Sequence, residues 1–175
     1  MHDPDIHKLL LEKGAPGFAH EKLLLFDELK YLNYESQRID RGSVDLTKVI
    51  GTAHIDYAGY SWGDLLPRDY RGYSEQDFQE AERTGLQGRL HRGWERLKEL
   101  HANPGYYLNA KTKHHMSFYK WNDHYYINDG NHRTVLARLF LGLNSLPQKL
   151  KGVTIIKYLD QESTKRSSRW SHGIR

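Results

Sequence analysis

An α+β domain with a small mixed sheet and flanking helices is what this sequence predicts, and three neighbouring stretches carry the prediction. "MSFYKWNDHYYIND", residues 116–129, holds two short aromatic runs on either side of Asn122-Asp123, a pair suited to a two-residue hairpin turn. The run that follows places Val135, Leu136, Leu139, Phe140 and Leu143 at the three- and four-residue spacing of a buried helix face. Then "VTIIKYL", residues 153–159, is a β-branched run of the length of a buried strand.

The elements upstream follow from local signals. Asp3 before Pro4 is a good helix start, Ile6, Leu9 and Leu10 have helical spacing, and Gly14 ends the element. After the turn-forming "GAPG", a second helix is predicted from Ala19 to about Leu32 on a weaker stripe of Leu25, Leu29 and Leu32. Residues 42–74 are rich in Gly, Tyr and β-branched residues; "KVIGTAHIDY" reads as a strand, and residues 55–73 as a long Tyr-rich loop. Ser74 with Asp77 resembles a capping box, opening a helix whose apolar face is Leu86, Leu90, Trp94 and Leu97. Gly85, Gly88 and Gly93 each cost about 1 kcal/mol against Ala there, which leaves two shorter helices as the alternative. "HANPG" stops the element.

Composition bounds the chemistry. A chain of 175 residues suits one domain with a real core. Lys and Arg number 26 against 22 Asp and Glu, a net +4 that favours anionic partners mildly. Eleven His add charge as pH falls toward about 6. There is no Cys, which excludes disulfides, thiolate-zinc sites, iron–sulfur clusters and cysteine nucleophiles. No apolar stretch approaches the roughly 20 residues that span a bilayer, and "MHDPDIHKLLLEKG" lacks the form of a signal peptide. The expectation is a soluble protein with no membrane partner, cytoplasmic or else a delivered effector.

The chemistry concentrates where the second hairpin strand meets the helix. Asp129, Gly130, Asn131, His132 and Arg133 stand together where one capping residue would suffice. A helix N-terminus presents unpaired N–H groups and a positive dipole end. Gly130 permits a backbone shape closed to most residues and a close approach by an anion. Arg133 offers a planar, permanently charged fork for phosphate oxygens, and Thr134 a hydroxyl. Asp129 would repel an anion unless it holds a cation such as Mg²⁺, works as a general base, or caps the helix. His132 suits an acid, a base or a phosphate donor. The alternative is a plain helix start, with Asp129 or Asn131 as cap and Arg133 solvated.

"YYINDGNHRTVLARLFLGL" followed by "VTIIKYL" resembles the ParB/sulfiredoxin-like fold family, closely over residues 117–159 and more weakly back to Ser43 through "VDLTKVIGT". The resemblance implies that Gly130, Asn131, His132, Arg133 and Thr134 bind the phosphates of a nucleoside triphosphate. Family members include a CTP-hydrolysing partition protein, an ATP-using sulfinic acid reductase, a free-serine kinase, and plasmid proteins with ATPase and nuclease activity. The reductase carries Cys where this chain has Asn131, so that activity is not expected. After Leu159 only a short tail remains, so a complete partition protein is not expected either.

Other candidates are weaker. His54 and Asp56, at the end of the first core strand, would border the same pocket as a base or metal ligand; ordinary loop polarity is the alternative. Residues on a strand alternate in direction, so adjacent His114 and His115 would not clamp one ion. With Lys111 and Lys113 they read as a solvated basic loop. "KTKHH", "RLHRGWERLK" and "TKRSSRW" interleave basic and aromatic residues in a way that suits single-stranded nucleic acid, or a solvated face.

The combined expectation is an N-terminal helical extension over 1–42, a ParB/sulfiredoxin-like domain over 43–160 and a basic polar tail over 161–175. Its function would be phosphate chemistry, foremost a Mg²⁺-dependent nuclease or NTPase of plasmid, phage or toxin type. Asp129, His132 and Arg133 would be catalytic, with Asp129 the ligand of any Mg²⁺. A small-molecule kinase and a non-catalytic nucleotide-gated or nucleic-acid-binding module are the alternatives. Partners would be a nucleotide, DNA or RNA, with an inhibitor or immunity-type protein left open.

Overall fold

The structure, a computed structural model, describes residues 2–66 and 87–159, and of 87–92 only the backbone. It is a mixed α/β arrangement around a six-stranded mixed sheet in the order β1-β3-β5-β4-β6-β2. The strands are β1 (Leu24–Leu25), β2 (Ser36–Asp45), β3 (Val49–Thr52), β4 (Ser117–Trp121), β5 (His124–Asp129) and β6 (Lys149–Tyr158). The helices are α1 (Ile6–Lys13), α2 (Gln87–Ala102), the single turn α3 (Gly105–Leu108) and α4 (Asn131–Leu143). No described helix is long and apolar enough to cross a membrane.

The centre of the sheet is the part its sequence announces. β4 and β5 pair antiparallel around the Asn122-Asp123 turn, with Asn122 at φ 51°. Phe118 stands beside Ile127 on one side and Ile155 on the other. All three are buried in one cluster with Val135, Leu136, Leu139 and Phe140 of α4. Burial of such side chains stabilises by roughly 1.5–3 kcal/mol each, so α4 is fixed over the middle of the sheet.

α1 forms as expected with a shifted start. The Asp5 side chain accepts from the Lys8 N–H at 2.9 Å, so Asp5 and not Asp3 is the cap. Gly14 ends the helix at φ 79°. Asp3 instead joins the N-terminus to the far end of α4: its N–H donates to Asn144 Oδ1, and Asn144 Nδ2 donates to its carbonyl, each at 2.9 Å.

The helix predicted over 19–32 is absent. Single 3₁₀ turns cover Gly17–His20 and Glu28–Tyr31, and between them the chain runs extended to pair Leu24 with Gly51 and Leu25 with Thr52. The supposed stripe of Leu25, Leu29 and Leu32 faces solvent, while Leu23 and Phe26 are buried. Phe26 is the reason. Its ring lies 4.8 Å from Tyr31, 5.1 Å from Tyr119 and 4.6 Å from Tyr126, making a second, aromatic core on the sheet face away from α4. β2 was also unannounced: half of its residues are exposed and only Val44 is buried, as suits an edge strand. Residues 2–42 therefore contribute one helix, β1 and most of β2 to the sheet, not a helical extension.

α2 is one helix through Gly93 and ends before "NPG" as expected. The Ser74–Asp77 start, part of the Tyr-rich loop and the basic tail over 161–175 lie outside the described residues. The described part of that loop is anchored, since Tyr57, Trp62 and Leu65 are buried.

Arg138 of α4 is the odd core residue. Its guanidinium lies 4.3 Å from the rings of both Phe18 and Trp62, with Nη2 3.2 Å from the exposed Glu21 carboxylate. Its Nε and Nη1 are buried with no hydrogen-bond partner among the described residues. A buried ion with unmet donors gains little over an apolar group of similar volume. Arg138→Met is expected to melt no lower than the native chain, and Arg138→Lys several degrees lower because an ammonium cannot stack between two rings. Thermal denaturation of the pair checks this; a large loss in the Met variant would show that the ring contacts outweigh desolvation.

Candidate functional site

β5 delivers the chain to Asp129, and Gly130 turns it into α4 at φ 88°, ψ 36°. A Cβ here would lie 2.6 Å from the His115 carbonyl oxygen and 3.1 Å from Met116 Cγ, so only glycine fits. Gly130 has no side chain with which to cap α4, and among the described residues no side chain accepts from its first amides. A helix start of this kind favours an anion.

The residues behind this turn hold it in shape. The Thr134 N–H and hydroxyl both donate to the Gly130 carbonyl, at 2.8 and 2.9 Å. Thr134 is fully buried, so its hydroxyl serves the turn and not a ligand, against the expectation that it binds phosphate. Asn131 is also buried; its Oδ1 accepts from the Thr52 hydroxyl at 2.8 Å, tying α4 to the end of β3. The Thr134 side chain and the Asn131 carbonyl oxygen thus brace the turn, while Asn131 also lines the cleft.

His132 is 8% exposed, with Nδ1 3.4 Å from the Leu65 carbonyl and Nε2 3.4 Å from the Tyr57 hydroxyl. A carbonyl can only accept, so the Leu65 contact calls for a hydrogen on Nδ1, and in a neutral ring Nε2 would then accept from Tyr57. The imidazole is thus packed between Tyr57 and Leu65 while still lining the cleft.

In front of the turn lies a cleft of about 260 Å³. Gly130–Arg133 form its back, Asp129 and His115 one side, and His54, Tyr57 and Arg96 the other parts of its wall. Glu99 of α2 pairs with both cleft guanidiniums: it sits against Arg96 and 3.5 Å from Arg133. One carboxylate thereby steadies two cations at the mouth. Asp129 is exposed, with Oδ2 3.9 Å from His115 Nδ1. Asp56 is exposed and does not line the cleft, whereas His54 does.

A Mg²⁺ ion commonly takes one or two carboxylates together with substrate phosphate oxygens. Among the described residues that line the cleft Asp129 is the carboxylate, and it fits that minimal role. No cluster of three metal-binding side chains occurs among the described residues.

His114 and His115 form an exposed turn before β4, as the reading of a solvated basic loop expects, with His115 at φ 61° and lining the cleft. Lys113 departs from that reading, since it is buried with its ammonium held by the carbonyls of Asn109 and Lys111. Arg96, Glu99, Tyr57 and Thr52 were not singled out as site residues. Arg96 lies in one of the basic stretches, Tyr57 in the Tyr-rich loop and Thr52 in the strand run "KVIGTAHIDY", but none of these signals pointed to the individual residue. Comparison with protein-family models, with curated proteins and with solved structures finds no match for this chain.

Proposed function

We propose that this protein is an enzyme of phosphate chemistry that seats a nucleotide phosphate at Gly130–Arg133 and hydrolyses it or an ester of it. The observation that carries the reading is the glycine-opened start of α4 standing in one cleft with Arg96 and Arg133. Amides and guanidiniums supply fixed positive charge where a phosphoryl group would develop negative charge. Asp129 and His115, side by side on the wall, are the groups within reach of an attacking water. His132 acts through Tyr57. The strand–knot–helix–strand order from β5 through α4 to β6 supports a ParB/sulfiredoxin-like reading of the fold.

Where Mg²⁺ takes part, Asp129 would hold it, and the ion would offset the repulsion between that carboxylate and phosphate. Phosphate release from ATP and CTP, and cleavage of DNA or RNA, should be measured with and without Mg²⁺ for the native chain and for Asp129→Asn. The variant is expected to bind nucleotide at least as well and to turn over about 10²- to 10⁴-fold more slowly. Binding without turnover in the native chain would leave a binding module and refute the enzyme. Turnover that needs an added hydroxyl acceptor would identify a phosphotransferase instead.

A further inference from the structure

The cleft at Gly130 continues past Asp129. On the sheet face away from α4 a second depression, of about 250 Å³, begins at the same two residues, His115 and Asp129. Strand register builds it. Ser117 of β4 lies between Asp129 and Thr154, and Arg38 of β2 lies beside Ile156, which bring three strands and the edge strand together at one end of the sheet. The floor is polar: Asn128 Nδ2 donates to Ser117 Oγ at 3.0 Å, with the Thr154 hydroxyl beyond. Amide and hydroxyl groups both give and take hydrogen bonds, as base edges require.

The rim carries basic side chains together with the carboxylates of Asp40 and Asp129. Arg38 is 67% exposed and spends its Nε on Asp40 at 2.9 Å, leaving the outer end of its fork toward the groove. His114 is exposed on the opposite side. Lys113 lies behind it, its ammonium held by the carbonyls of Asn109 and Lys111, which stiffens the histidine turn and adds charge beneath. Along the same face, two residues further from the cleft on each strand, stand the rings of Tyr119 and Tyr126.

From the phosphate reading of the first cleft, on which this inference rests, we infer that the ligand is a single strand of nucleic acid. One phosphate sits at Gly130–Arg133, and the adjoining nucleotides cross Asp129 into the groove between Arg38 and His114. A mononucleotide would occupy only the first space, whereas two concavities sharing a wall suit a chain of repeating anions. Duplex DNA is read by elements that enter its grooves, while concave polar pockets take splayed single-stranded nucleotides. The point of crossing places Asp129 and His115 beside an internucleotide phosphate.

Fluorescence anisotropy with labelled homopolymer strands of about 4–16 nucleotides, alongside a labelled mononucleotide, tests this. Strands are expected to bind at least about tenfold more tightly than the mononucleotide. Arg38→Ala combined with His114→Ala, both exposed positions, should weaken strand binding about tenfold at unchanged Tm and leave mononucleotide binding as it was. Equal affinity for strand and mononucleotide, or a double variant that binds strands as well as the native chain, overturns the strand path while the Gly130 cleft stands. Tighter binding of poly-glutamate than of the strands overturns it too. Should the native chain bind no nucleotide of any length, the phosphate reading falls with it.

Discussion

Arg133→Ala is expected to weaken binding of a nucleotide or of pyrophosphate by about 10- to 100-fold and to leave thermal stability nearly unchanged. The first half follows from the strength of hydrogen bonds to charged groups, about 1.5–3 kcal/mol each, where about 1.4 kcal/mol is tenfold in affinity. The second half follows from what Arg133 does without ligand. The Arg133 side chain is 18% exposed, but its partner Glu99 is half exposed and 3.5 Å away, so the pair is screened by solvent and worth about 1 kcal/mol or less. Arg133→Lys should recover part of the affinity, since it restores the charge but not the fork. Calorimetric titration with pyrophosphate and a melting curve on each variant measure both halves. Unaltered pyrophosphate affinity in Arg133→Ala would remove the guanidinium from the site.

Gly130→Ala should lose both stability and binding. The φ of 88° costs a side chain about 1–3 kcal/mol by itself. The new methyl would also meet the His115 carbonyl oxygen at 2.6 Å, and a backbone atom cannot swing aside as a side chain can. Relief requires the His114–His115 turn to move, taking one wall of the cleft with it. A loss near 2–4 kcal/mol corresponds to roughly 5–15 °C in Tm for a chain of this length. Gly14→Ala is the control: its φ is 79°, but nothing lies within 4 Å of the added Cβ. That variant should pay the backbone strain alone and bind ligand normally. Matching losses of Tm in the two variants, with binding intact in both, would mean that the turn does not lean on Gly130.

How legible this molecule was depended on how local its determinants are. The hairpin, α4 and β6 were readable because turn chemistry and apolar spacing agree within a few residues. The stripe of Leu25, Leu29 and Leu32 misled because spacing says nothing of whether a partner surface exists. Phe26, which decides that segment, finds its partners on β4 and β5, about a hundred residues away in sequence. β2 is polar and alternates weakly, as an edge strand can, so its pairing with β6 leaves almost no pattern. The same division runs through the site. Asp129, Gly130 and Arg133 are contiguous and were visible, whereas Arg96, Glu99 and Tyr57 join them only through the packing of α2 and the loop after β3. The buried bonds of Asn131 and Thr134 were equally invisible, which is why braces were read as ligand contacts.

The two hydrogen bonds between Asp3 and Asn144 give α4 a fastening at the end opposite the cleft. Thirteen residues at about 1.5 Å each make a rod roughly 20 Å long, gripped by the core along its length. The first residues of the chain are thereby fixed to one end of the same helix whose other end opens at Gly130.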